Sequence, residues 1–276
     1  RGPASSLYGP DAIGGVIQIF TKKGLDGFKP YIGIGYGRYN TSSFQTGLRG
    51  GDSQTTYGVN FSGTNTDGFS AFVPNPTSTA NAFNLDKDKY KNFGFSTSLN
   101  HKINEDYEVN FQYLLTHAKN KYDNPSANSS AIDFRNTAKS EAYAIALNAQ
   151  INPTWKSSIK ISKGIDEYID KQLYDWTLYD YIAQNNLYKT TQDQLTWQNN
   201  IQLSKGTLTL LYDRLEQKIK TTEYYQKNKR VNDGFMVGYS LIENKHNFQT
   251  NIREDLNSNY DDSLTGNIGY AYLINQ

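Results

Sequence analysis

"DQLTWQNNIQLSKGTLTLLYDRLEQKIK", residues 193–220, decides the fold. Over 194–203, Leu195, Trp197, Ile201 and Leu203 oppose Gln194, Thr196, Gln198, Asn200 and Gln202. A period of two puts each set on one face of a β-strand. "SKG" at 204–206 reads as a short turn, and 207–220 as the next strand. The polar face is made of amides and hydroxyls. A soluble sandwich turns its polar face to bulk water and fills it with Lys and Glu, whereas an uncharged polar face suits the wall of a hydrated lumen.

The alternation recurs along the chain, as in Tyr57, Val59 and Phe61, in Tyr107, Val109, Phe111 and Tyr113, and in Phe235, Val237, Tyr239 and Leu241. About twelve strands are predicted: 30–37, 43–49, 56–64, 91–102, 107–118, 140–149, 155–165, 193–203, 207–220, 233–242, 246–255 and 263–273. Beyond the third strand their connections alternate in length. Long segments at 65–90, 119–139, 166–192 and 221–232 are interleaved with short ones at 103–106, 150–154, 204–206 and 243–245. Short turns at one end and long loops at the other mark an outer-membrane barrel, turns periplasmic and loops extracellular. The fold class expected is therefore all-β, an antiparallel transmembrane β-barrel, here partial.

Composition agrees. The 276 residues are 37% hydrophobic, with a mean hydropathy of -0.71, and contain no run long enough for a spanning helix. Barrel strands need only about 9–11 alternating residues and leave hydropathy low. A net charge of +1 supplies no global field for nucleic acid, which is not expected as a partner. With no cysteine, disulfides and thiolate metal sites are excluded. His101, His117 and His246 lack metal-ligand spacing, and no GxSxG elbow or His-led constellation is present, so an enzyme is not expected. The glycine-rich start lacks the spacing of a phosphate loop.

That start is "RGPASSLYGPDAIGGVIQIFTKKG", residues 1–24. Gly9, Gly14 and Gly15 allow positive φ or close backbone approach, and Pro10 suits the first turn of a short helix over Asp11–Ile13. The stretch resembles the end of the plug domain of TonB-dependent outer-membrane receptors. Arg1-Gly2-Pro3, Leu7-Tyr8-Gly9 and Ala12-Ile13-Gly14-Gly15-Val16-Ile17 match the family pattern, with Gln18 where Asn is usual. In "IREDLNSNYDD", Arg253, Asp255, Asn257 and Ser258 resemble a motif of the vitamin B12 (cobalamin) receptor subgroup.

The resemblance implies a plug threaded into a twenty-two-stranded barrel. It also implies a location in the outer membrane of a Gram-negative bacterium, amid its lipid. Residues 1–25 would be the end of the plug and 26–276 the N-terminal part of the barrel, the chain being a fragment. Such receptors import large scarce nutrients, cobalamin first here, siderophores or haem as the alternative, when the periplasmic partner TonB pulls on the plug. An adhesin or enzyme barrel is the alternative of another class. Within 166–192, Tyr168, Tyr174, Trp176, Tyr179 and Tyr181 are ligand-stacking candidates. Asp166, Asp170, Asp175 and Asp180, with Asp123 and Asp133 from 119–139, are calcium candidates. Charges of the plug end (Arg1, Asp11, Lys22 and Lys23) are expected to pair with wall residues such as Arg49, Glu108 or Arg253.

Overall fold

The computed structural model describes Gly9 and residues 26–70, 87–123, 131–177 and 180–274, without the side chains of 131–132, 173–177 and 180–184. Twelve strands form one sheet: β1 (Gly27–Gly37), β2 (Thr41–Gly51), β3 (Thr55–Thr66), β4 (Tyr90–Lys102), β5 (Tyr107–Lys121), β6 (Ala131–Asn152), β7 (Trp155–Thr177), β8 (Asp180–Gln202), β9 (Thr207–Thr221), β10 (Lys229–Glu243), β11 (His246–Asn257) and β12 (Ser263–Tyr272). Each pairs with its neighbours in chain order, so the sheet is an uninterrupted meander. All twelve predicted strands are present. Residues 1–8 and 10–25, which carry most of the plug resemblance, lie outside the described residues.

The long connections differ from expectation. Residues 119–139 and 166–192, read as loops, are mostly strand. β6, β7 and β8 run 22, 23 and 23 residues, paired without interruption through Tyr168↔Tyr188. At roughly 3.3 Å per residue these arms reach about 75 Å, well over twice a hydrocarbon core of about 30 Å. Once a strand leaves hydrocarbon, neither face need be apolar, and the alternation that marks it disappears.

Register assigns the faces. Phe111 lies opposite Ile145, Ile145 opposite Ile161 and Ile161 opposite Leu195. Likewise Trp197, Tyr212 and Phe235 stand side by side. This face is bare: Ile32, Ile161 and Ile268 are 80, 64 and 78% exposed. The opposite face carries rows such as Gln45–Ser62–Gly94–Thr116–Ser140. Among the described residues, only Phe134 and Met236 are buried hydrophobics, so no apolar core sits beneath the sheet. A continuous apolar band this exposed is stable against lipid and unstable in water.

The short connections at one end, between β2–β3, β4–β5, β6–β7, β8–β9 and β10–β11, are each set by one residue suited to turning. Asp52 Oδ1 accepts from the amides of Gln54 (2.8 Å) and Thr55 (2.7 Å). Asn104 does the same for Asp106 (2.9 Å) and Tyr107 (2.8 Å), and Asn152 accepts from Thr154 N (3.0 Å). Asn244 and Gly206 adopt φ of 52° and 74°. Asp and Asn close turns through such local bonds and tolerate the left-handed region, while glycine enters it freely. A Cβ on Gly206 would also overlap the Ser240 carbonyl.

Two outcomes follow from these turns. Gly206→Ala lowers stability by at least about 1–2 kcal/mol, read as an earlier thermal transition in detergent. The amides of Thr55 and Gln54 hold the Asp52 carboxyl below its ordinary 3.8. Its stabilising contribution is therefore complete above pH 3.8 and is lost as pH falls through the lower folded value. Asp52→Asn should remove that acid limb from the stability profile; an unchanged limb would refute the assignment.

Candidate functional site

The polar face carries a buried charge cluster built from β9, β10 and β11. Arg253 and Asp255, each 1% exposed, lie two apart on β11 and so share a face. Arg253 Nε and Nη2 donate to Asp255 Oδ2 (2.9 Å) and Oδ1 (2.7 Å), a two-pronged pair. Its Nη1 donates to Asp213 Oδ2 (2.7 Å) on β9. Asn232 Nδ2 adds a bond to Asp255 Oδ1 (2.8 Å), and Asn257 Nδ2 reaches Asn232 Oδ1 (3.3 Å). Gly234 lies between the two carboxylates in register. A Cβ there would overlap Arg253 Nη2, so the guanidinium crosses β10 only because Gly234 has no side chain.

Gly9 rests against this cluster. It is buried, has a φ of 95°, and a Cβ built on it would lie 3.6 Å from Arg253 Nη2. The one described residue of the plug-like motif thus meets the polar face, which identifies that face as the inner one. Arg253 takes its described partners from wall carboxylates, because a buried guanidinium needs its donors matched at close range. Glu108 accepts from Asn110 Nδ2 (3.0 Å), and Arg49 is in no ion pair among the described residues. Arg1, Asp11, Lys22 and Lys23 lie outside the described residues, as do Gly2, Pro3, Tyr8, Ala12, Gly14 and Gly15.

All four residues of the second motif have work in the wall. Asn257 and Ser258 pin the end of β11: Asn257 N donates to Asp262 Oδ1 (3.0 Å), and Ser258 Oγ accepts from Val231 N (2.9 Å). These bonds fix the register that sets Asp255 opposite Gly234.

A second inner-face cluster sits on the long arms. Asp170, 9% exposed, accepts from Tyr122 Oη (2.6 Å) and Gln172 Nε2 (2.6 Å). Tyr122 packs on Phe134 with ring centroids 5.5 Å apart, and Tyr168 lies 6.5 Å from Tyr188. Burial first, then the Asp170 bond, pushes the Tyr122 phenol far above its ordinary 10.0, so it stays a donor. Tyr168 is thus a strand residue paired in register with Tyr188, while Tyr122 and Phe134 pack on each other beside Asp170; the sequence alone singles out none of these three. The backbones of Tyr174, Trp176 and Tyr181 continue β7 and β8, their side chains lying outside the described set, and Tyr179 lies wholly outside it.

The acidic candidates divide between the faces. Asp166 and Asp170 are on the inner face, whereas Asp133 pairs outward with Arg135 (2.6 Å) and Lys121 (3.7 Å). Asp123 accepts from Ser70 Oγ (3.1 Å). Among the described residues no group of three His, Asp or Glu converges as a metal site requires; the side chains of Asp175 and Asp180 lie outside them.

Removing one member of the buried cluster leaves an uncompensated charge, which typically costs about 3–5 kcal/mol. Arg253→Met should cost about that much in detergent unfolding. Adding Asp213→Asn and Asp255→Asn should recover most of it, and a triple variant no better than the single one would count against the pairing.

No family model matches the chain. It is 23% identical over 98% of its length to the vitamin B12 transporter BtuB of Vibrio vulnificus, covering 42% of that protein. It superposes along its full length on the ferric enterobactin receptor PfeA of Pseudomonas aeruginosa (TM-score 0.74, 13% identity, 46% of that chain). The siderophore receptor PirA of Acinetobacter baumannii gives 0.72 at 16% identity, with 45% of that chain covered. The chain thus spans less than half the length of the relatives it matches. Its fold is that of part of an outer-membrane receptor barrel, and its sequence is similar to vitamin B12 transporters; the chain resembles TonB-dependent receptors in both.

Proposed function

We propose that the chain is part of a transporter that imports cobalamin across the outer membrane by TonB-driven rearrangement of a plug. The observation that carries this reading is Gly9 seated on the Arg253–Asp255–Asp213 cluster. A plug-like turn held against a charge cluster already neutralised within the wall can slide without stripping a wall charge of its partner. Import then loosens the plug contact while the wall stays intact. The kinship with BtuB sequences supports cobalamin as the cargo. Residues 1–25 act as the end of the plug and 26–276 as barrel wall.

The inner-face cluster at Tyr122, Phe134, Tyr168, Asp170 and Tyr188 supplies the ligand surface. Its rings offer flat apolar area for a macrocycle, and Asp170 orients the phenol that a ligand oxygen or amide would meet. A ferric siderophore is the second reading, favoured by the structural kinship with PfeA and PirA.

The full-length protein in detergent should bind cobalamin. Tyr168→Ala should weaken it about ten-fold, in keeping with the loss of one aromatic contact of about 1.5 kcal/mol. Binding of ferric enterobactin with no response to cobalamin would favour the second reading.

A further inference from the structure

The outer face changes character along one diagonal. Towards the end away from the short turns, Leu115 is followed outward by His117 and Lys119, Tyr143 by Glu141, Ile161 by Lys163, Leu195 by Asp193, Tyr212 by Arg214 and Phe235 by Asp233. The line steps from strand to strand because the register is staggered. Beyond it lies a charged band in which bases outnumber acids, although the whole chain has a net charge of only +1.

Register repeatedly places two bases opposite each other on this band, an arrangement that is destabilising when directly opposed. Two such pairs are resolved by a carboxylate. Glu216 binds both Lys218 (2.6 Å) and Lys229 (3.1 Å), which face each other across β9 and β10. Asp133 binds both Arg135 (2.6 Å) and Lys121 (3.7 Å), which face each other across β5 and β6. The pair Lys91↔Lys119, across β4 and β5, has no such anion among the described residues. Both side chains are exposed, and neither is in an ion pair among the described residues. Phe93, Phe95 and Leu115 lie just below them on the same face.

We propose that Lys91 and Lys119 clamp a phosphate of an outer-leaflet lipid, which takes the place that Glu216 and Asp133 fill at the other pairs. The position carries the identification. A group bound there is continuous with the lipid-facing apolar band, so its acyl chains lie along Phe93, Phe95 and Leu115 while its phosphate meets the two ammonium groups. A lysine near an anionic membrane surface contributes about 1 kcal/mol, or roughly five-fold in affinity. The inference rests on the outward orientation of the apolar face and not on the identity of the nutrient.

The test uses the full-length protein in neutral detergent, titrated with diphosphorylated lipid A and with its dephosphorylated counterpart. The double variant Lys91→Gln/Lys119→Gln should lose about twenty-five-fold in affinity for the phosphorylated lipid. It should bind the dephosphorylated lipid as the parent does, and match the parent in cobalamin binding. Lys160→Gln, on the inner face, should change neither. Lys91→Arg/Lys119→Arg should retain binding, which separates charge from folding. Equal binding of phosphorylated lipid by parent and Gln variant would overturn the proposal. So would an equal loss for both lipids, or displacement of the lipid by inorganic phosphate at matching concentration.

Discussion

Everything in this molecule depends on pairing backbone amides where there is no water to pair them. In hydrocarbon an unsatisfied N–H or C=O costs several kcal/mol, so a spanning sheet must form its ladder completely. The ten strands β2 to β11 do so on both edges with neighbours in sequence, β1 and β12 on one edge each, and side chains are then free to differ by face. One face becomes apolar because lipid requires it. The other becomes amide, hydroxyl and glycine because it meets water and the plug-like turn. The buried cluster around Arg253 is possible only inside this frame, since the ladder holds Asp213, Gly234 and Asp255 at one level across three strands.

That division explains what could be read from the sequence. Alternation over 194–203 or 107–113 is legible because lipid enforces it residue by residue. The short turns are legible because one Asp, Asn or Gly decides each. The outer arms of β6, β7 and β8 are not legible as strands: Glu167 and Lys189 face outward there, so no apolar parity remains. One trace of pairing survives. Tyr168 and Tyr188 stand symmetrically about 178–179, and folding the segment at its midpoint would have brought them together.

The inner sites were harder for a related reason. Arg253, Asp255, Asn257 and Ser258 stood out through resemblance, but not Asp213, forty residues before Arg253, nor Gly234. Their contribution is one of register, invisible until strand pairs are counted from turn to turn. Tyr122 and Phe134 reach the Asp170 cluster from the flanking strands in the same way. Motifs can thus name the members of a site that lie close in sequence, while the members supplied by neighbouring strands must be found by pairing.

The strictly sequential pairing has a kinetic consequence. Each hairpin closes over a short stretch of chain at the end where Asp52, Asn104, Asn152, Gly206 and Asn244 set the turns. Contacts between strands adjacent in sequence need little loop closure before they form, which lowers the entropic barrier. The wall can therefore assemble strand by strand, each arrival completing the ladder of the one before it. The Arg253 cluster, which draws on β9, β10 and β11 together, is complete only when all three of these strands are in register.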